Sequence, residues 1–155
     1  MPTDSSGLPA ILDDAECRRL LMTATIGHLG FTDGALPVIV PVPFALHGQH
    51  VVIPTHRSSP MVTAVRGAVV AFEVDSYDPG TETGWSVTVI GPSHVVGDLD
   101  EVMRSAAIGL PPQWTRPDRS FIFVELGLLR GWRAASRSTE PTAEDAIAAE
   151  GAAPG

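Results

Sequence analysis

One stretch of the sequence combines a cation with hydroxyl groups in a way that suits the binding of an anion. In "VVIPTHRSSPM", residues 51–61, Arg57 follows an apolar run and stands among Thr55, Ser58 and Ser59. A guanidinium and neighbouring hydroxyl groups are hydrogen-bond donors that phosphate and carboxylate oxygens accept. The turn is therefore a candidate anion site.

Two prolines limit what this turn can donate. Pro54 and Pro60 bracket it, and each removes a backbone N–H that an anion could otherwise use. Pro60 also stands where a short helix would begin, with Ser59 as its cap and Gly67 as its end. The N-terminus of such a helix favours an anion and would partly compensate for the missing donors.

Other chemistry is poorly supported by the sequence. The five histidines are scattered at positions 28, 47, 50, 56 and 94, with no pair in an HExxH pattern, so we predict no metal site. There is no GxSxG element and no glycine-rich phosphate loop of the Walker or dinucleotide-binding type. The single cysteine, Cys17, lies on the apolar face of a predicted helix and is expected to be a core residue. No residue is assigned a catalytic role.

Composition narrows the class of protein. The 155 residues are 44% hydrophobic, carry a net charge of −8 and contain ten arginines but no lysine. A surface this acidic disfavours nucleic acid, and no apolar run is long enough to span a bilayer. With one cysteine and no apparent secretory signal, the expected location is the cytoplasm.

Periodicity predicts a mainly β protein. Six strands are expected, joined by turns such as Asp33-Gly34 and His47-Gly48-Gln49, with a bend at Gly91-Pro92. Helices are expected from Asp13, with Asp13 or Asp14 as the cap, from Pro60, and over residues 98–109. The prediction is an antiparallel barrel of about six strands with two or three peripheral helices.

The domain boundaries follow from composition. Residues 10–135 are predicted to form one domain. Residues 1–9 and the acidic tail 136–155 contain few large apolar side chains and are predicted to be disordered.

Several segments together resemble a known family. The segments "GHLGFTDGALPVIVPVPFAL", "VAFEVDSYDP" and "GWSVTVIG" are similar to those of the pyridoxamine 5′-phosphate oxidase-like flavoproteins. The similarity is strongest to an actinobacterial branch that is related to nitroimidazole-resistance proteins, and it extends over about residues 12–133. It implies a split β-barrel, commonly a homodimer that binds two FMN molecules in clefts between its subunits.

The resemblance also implies positions for the flavin. Pro43 and Phe44 would form a wall for the isoalloxazine ring, with Trp85, Ser86 and Trp132 near the same cleft. Each of these side chains could equally serve in core or interface packing.

The phosphate would lie at the turn with Thr55, Arg57, Ser58 and Ser59. Members of this branch commonly have Arg and Lys at the positions of Pro54 and Pro60, so this chain lacks both of those cations.

The resulting prediction is an FMN-dependent oxidoreductase acting on a small organic molecule. The alternative, favoured by the two prolines, is a flavin-free protein whose dimer cleft binds or transforms an apolar molecule. A third possibility is haem ligated by His28 or His56. The colour of the purified protein separates the three.

Overall fold

The computed structural model describes residues 9–97, 111–114 and 116–134. The described chain folds into one antiparallel sheet of nine strands with two α-helices, α1 (Asp14–Leu21) and α2 (Pro60–Val65). The strands are β1 (Ala10–Leu12), β2 (Ile26–Asp33), β3 (Leu36–Pro43), β4 (Ala45–His47), β5 (His50–His56), β6 (Val69–Asp78), β7 (Thr83–Val96), β8 (Arg119–Glu125) and β9 (Leu128–Ala134). The helix predicted over 98–109 and the predicted tail lie outside the described residues.

The prediction of about six strands is wrong, for a tertiary reason. Two predicted strands are each divided where the chain changes partner. Pro43 ends β3 opposite Ile26 of β2, whereas Ala45 begins β4 opposite Val52 of β5. The last predicted strand divides in the same way into β8 and β9, which meet at Leu126 and Gly127. The additional strand β1 is three residues long and pairs only with β9. The mainly β character of the fold is confirmed.

The strand β7 links the two halves of the sheet. Its first part pairs with β9 as far as Ile90 opposite Leu128, and its last part pairs with β8 from Ser93 opposite Val124. Gly91 lies between these parts, and a Cβ there would be 2.0 Å from the carbonyl oxygen of Glu125. The predicted bend at Gly91-Pro92 therefore coincides with a change of partner at a close approach of two backbones.

The predicted start of each described helix and its capping residue are confirmed. The Asp13 carboxylate accepts the Glu16 N–H at 2.8 Å and caps α1. Cys17 is buried against the sheet, and burial raises the pKa of its thiol, as expected for a core cysteine. Ser59 caps α2, Pro60 occupies its first turn, and Gly67 follows it with φ +67°.

The hairpin turns differ from the prediction in one detail. The loop between β2 and β3 is Gly34-Ala35 rather than the predicted Asp33-Gly34, because Asp33 still pairs with Leu36, and only Gly34 has positive φ, which makes a positive-φ pair at Asp33-Gly34 wrong. A two-residue loop with glycine first is typical of a type II′ turn. Gly48 has the same role between β4 and β5, with φ +55°.

Two apolar clusters fill the domain. The larger lies between the helices and one face of the sheet, and it includes Leu21, Leu29 and Phe72. The smaller contains Val52, Trp114, Phe121 and Phe123. No helix in the described parts of the chain has the length and apolar character needed to span a membrane.

Candidate functional site

The hydroxyl groups of the predicted anion turn are used inside the turn itself. The Ser58 Oγ lies 2.7 Å from Nδ1 of His56, and the Ser59 Oγ accepts the Met61 N–H at 3.3 Å as the cap of α2. Thr55 is buried. The Ser58 and Ser59 hydroxyls therefore support the local fold, and the Ser59 hydroxyl, which accepts there, still has its own proton to donate to an anion.

The backbone of the turn is similarly occupied. The Arg57 N–H donates to the Asp118 carbonyl at 2.9 Å, and the Ser59 N–H donates to the His56 carbonyl at the same distance. The Ser58 N–H faces Nδ1 of His56 at 3.2 Å, while Nε2 of that ring lies 3.3 Å from the Asp118 carboxylate. The conformation of the turn is thus stabilised by hydrogen bonds of its own backbone and of the His56 ring.

The guanidinium of Arg57 anchors the turn to neighbouring loops. It donates to the Pro117 carbonyl at 3.0 Å and to the Gly97 carbonyl at 3.4 Å. Arg57 also lines a cavity of about 400 Å³ together with Arg66 and the buried Ser120. Because a guanidinium has five N–H donors, two carbonyl contacts leave others for an anion in this cavity.

A second, larger cavity lies at the predicted wall for the flavin ring. Its volume is about 810 Å³, and its lining includes Pro43 and Phe44, where the chain passes from β3 to β4. The end of α1 contributes Leu21 and Met22, and Trp114 closes another side. A mostly apolar cavity of this size suits a planar organic ring system.

The remaining predicted residues lie on β7 and β9 and face opposite sides of the sheet. Ser86 is the cross-strand partner of Trp132, so these two side chains share the outer face of the sheet. Trp85 points the other way and packs against the larger apolar cluster. The structure therefore brings Ser86 and Trp132 together and places Trp85 apart from them.

A polar group on the outer face was not predicted from the sequence. The Glu73 carboxylate accepts the Ser86 hydroxyl at 2.8 Å and lies 3.5 Å from Nδ1 of His28. His28 and Glu73 are cross-strand partners on β2 and β6. The alternation of each strand places both residues on the outer face, beside its apolar residues, but only the register brings them together.

Histidines also meet on the other half of the sheet. The His50 and His94 rings are 5.7 Å apart, and His94 stacks on Phe123. Burial, reinforced by His94, lowers the pKa of His50. In the described residues, no group of three or more His, Cys, Asp or Glu side chains is arranged to hold a metal ion.

The two parts of a flavin nucleotide, the ring system and the phosphate, are not matched equally well by the residues of this chain. The 810 Å³ cavity at Pro43 and Phe44 suits the ring system. The turn fits a phosphate less well, because Pro54 and Pro60 supply no charge and the Ser58 hydroxyl lies 2.7 Å from Nδ1 of His56. Arg57 and Arg66 are the cations that could hold the phosphate at the smaller cavity.

An open antiparallel sheet with peripheral helices and a cleft at the β3–β4 junction defines a protein of the split-barrel class. Residues 13–123 match the pyridoxamine 5′-phosphate oxidase family. The chain belongs to this family, and the resemblance found in the sequence is confirmed.

Relatives agree with this assignment. The uncharacterised protein Rv0080 of Mycobacterium tuberculosis is 34% identical over 135 residues, which are 84% of this chain and 88% of the relative. The FAD-binding protein of Mycobacterium smegmatis superposes with a TM-score of 0.67 at 27% identity, over 82% of this chain and 98% of that one. A FAD-binding protein of Mesorhizobium loti has a TM-score of 0.68 at 21% identity, over 83% and 98% of the two chains. This last likeness shows the fold alone.

Proposed function

We propose that this protein is a flavin-dependent oxidoreductase that uses FMN to act on a small organic molecule. The observation that carries the proposal is the apolar cavity of about 810 Å³ at Pro43 and Phe44, in a chain of this family. A relative of known structure, the Mycobacterium smegmatis protein, is described as FAD-binding, which supports a flavin as the cofactor. Bound flavin would supply reversible two-electron transfer, and the chain would orient the ring and exclude water.

The phosphate of FMN is proposed to contact Arg57, with Arg66 as a second cation at the same cavity. This contact replaces the two cations that the resemblance places at positions 54 and 60. Since a hydrogen bond to a charged group contributes about 1.5–3 kcal/mol, one such contact should favour FMN over riboflavin by about tenfold or more.

A homodimer is proposed on the evidence of the outer face of the sheet. Cross-strand pairing places one row of side chains on this face, with Ile39 and Leu128 at its ends and Gly30, Ala71 and Ile90 between them. Ile39 is 74% exposed in the single chain, and Trp132 on the same face is 46% exposed. A second copy could cover this apolar surface.

The apolar segment 121–124 of β8 does not contribute to this outer face, because it is buried within the subunit. Phe121, Ile122, Phe123 and Val124 all lie in the two apolar clusters. The proposed dimer therefore depends on the outer face of β3, β2, β6, β7 and β9.

Titration of the purified protein with FMN and with riboflavin, followed by quenching of flavin fluorescence, tests the proposal. Binding of both, with FMN tighter, supports it. A colourless protein that binds neither flavin would contradict it and favour the flavin-free alternative, which the absence of charge at Pro54 and Pro60 supports. A red-brown protein with a haem absorption band would instead identify the third possibility, for which His28 and His56 are the candidates.

A further inference from the structure

The larger cavity contains a positive charge that the flavin proposal does not use. Arg18, on α1, lines the cavity beside apolar neighbours such as Leu21 and Phe44. Its side chain is half-buried, and one of its NH2 groups donates to the Oε1 of Gln49 at 2.5 Å. The partner is a neutral amide, so this contact orients the guanidinium without neutralising it.

Among the described residues, no carboxylate lies within 4.0 Å of the Arg18 guanidinium. The next residue shows the contrast. Arg19 makes two hydrogen bonds to the Glu16 carboxylate, at 2.7 and 3.0 Å, and does not line the cavity. Arg18 is distinguished by its place, because it lines a mostly apolar cavity and its described partner there is a neutral amide. A partly desolvated charge is normally paired, so such a site favours an anionic ligand.

We propose that Arg18, positioned by Gln49, binds the anionic group of an aromatic substrate, such as an aromatic carboxylate. This inference rests on the proposed function, because it assigns a substrate class to the same cavity. The ring of the substrate would contact the apolar lining near Leu21 and Trp114, while its carboxylate accepts hydrogen bonds from Arg18. A planar guanidinium matches the two oxygens of a carboxylate.

Binding of two matched probes tests the inference without flavin. 2-Naphthoate and 2-naphthamide have the same ring system and differ in charge, and isothermal titration calorimetry on the full chain gives both affinities. We expect naphthoate to bind at least about tenfold more tightly than naphthamide, as one charged hydrogen bond implies. Equal affinities for the two probes, or no binding of either, would overturn the proposal.

Three variants distinguish a direct contact with Arg18 from a general effect of the charge of the protein on binding. Arg18→Gln should remove the preference for naphthoate, lowering naphthoate affinity much more than naphthamide affinity, because only the carboxylate loses an ion pair. Arg19→Gln removes the same charge one residue away and should preserve the preference. Gln49→Glu keeps Arg18 but gives it an acidic partner, and it should also remove the preference. A preference that survives in Arg18→Gln, or one that is lost in Arg19→Gln, would refute the assignment.

The outcome is distinguishable from failure of the flavin proposal. If the protein prefers naphthoate but binds no flavin, the proposed role of Arg18 is supported and the proposal of a flavin-dependent enzyme is contradicted. If FMN is preferred over riboflavin and Arg18→Gln abolishes that preference, Arg18 binds the flavin phosphate, and the substrate assignment is wrong.

Discussion

The guanidinium of Arg57 donates to the backbone carbonyl of Pro117 at 3.0 Å, across 60 positions of the sequence. This contact ties the turn after β5 to the loop before β8. The residue that the sequence marks as the cation of an anion site therefore also has a structural role, and both roles can be measured.

We expect Arg57→Ala to weaken FMN binding by about tenfold or more and to leave riboflavin binding nearly unchanged, because only FMN carries the phosphate. The same change should lower the free energy of unfolding by about 1 kcal/mol, since the carbonyl contacts are lost at an exposed site. Fluorescence titration and urea denaturation measure the two effects. Arg19→Ala is the control, and an equal loss of affinity for both flavins would show that Arg57 does not contact the phosphate.

The double variant Pro54→Arg with Pro60→Lys should tighten FMN binding by about tenfold or more, because it restores two cations at the turn. Pro60 occupies the first turn of α2, where lysine is readily accepted, but Pro54 is buried opposite Phe121. Thermal unfolding should therefore accompany the titration. If the double variant binds FMN and the natural chain does not, the assignment of the fold stands, but the proposal that the natural protein is a flavoenzyme is contradicted.

Leu128→Glu should convert the proposed dimer to a monomer, because it places a charge in the apolar row of the outer face. Light scattering at micromolar concentration should change from twice 16.3 kDa to 16.3 kDa. Leu36→Glu is the control, since Leu36 is 70% exposed at the end of the β2–β3 hairpin, away from that row. A monomeric natural chain would contradict both the dimer and a cleft shared between subunits.

Gly91→Ala should be strongly destabilising, because its Cβ would be 2.0 Å from the Glu125 carbonyl oxygen at the division of the sheet. Overpacking of this kind costs about 1–3 kcal/mol or more in the free energy of unfolding. Gly97→Ala is the control, because nothing lies within 4 Å of a Cβ at Gly97, and it should change that free energy by less than about 0.5 kcal/mol. Equal urea midpoints for the two variants would disprove the close approach.

Stability should fall as the pH drops from 7.5 to 5.5, and His50 should account for part of the loss. Burial and His94 lower the pKa of His50 in the fold, whereas Glu125 opposes the shift and His47 adds to it. As the pH falls, His50 is therefore protonated in the unfolded chain, at about pH 6.5, before it is protonated in the folded chain. This protonation stabilises the unfolded state, so the free energy of unfolding decreases below that pH. His50→Gln should show a smaller loss by urea denaturation across this range. An unchanged pH dependence would contradict the prediction.

The sequence by itself determined features that depend on neighbours within a few residues. The Asp13 cap, the Ser59-Pro60 start of α2 and the glycine turns at Gly34 and Gly48 were predictable, because each depends on backbone conformation or on a hydrogen bond of short span. The family resemblance added Pro43 and Phe44 as predicted flavin-wall residues, and a cavity lies beside both, although only flavin binding tests that role.

Only the tertiary structure decided which of these residues meet. The partner of Arg18 is Gln49, 31 positions away, and Arg57 reaches carbonyls 40 and 60 positions away. Two of the three additional strands arise because the chain changes partners between β3 and β4 and between β8 and β9, and the third is the short strand β1. Strand register, which places Glu73 beside His28 and Ser86, depends on the packing of the whole sheet. Because local preferences do not encode the pairing of distant strands, the sequence identified candidate anion-binding groups, and the fold determined which of them remain available to a ligand.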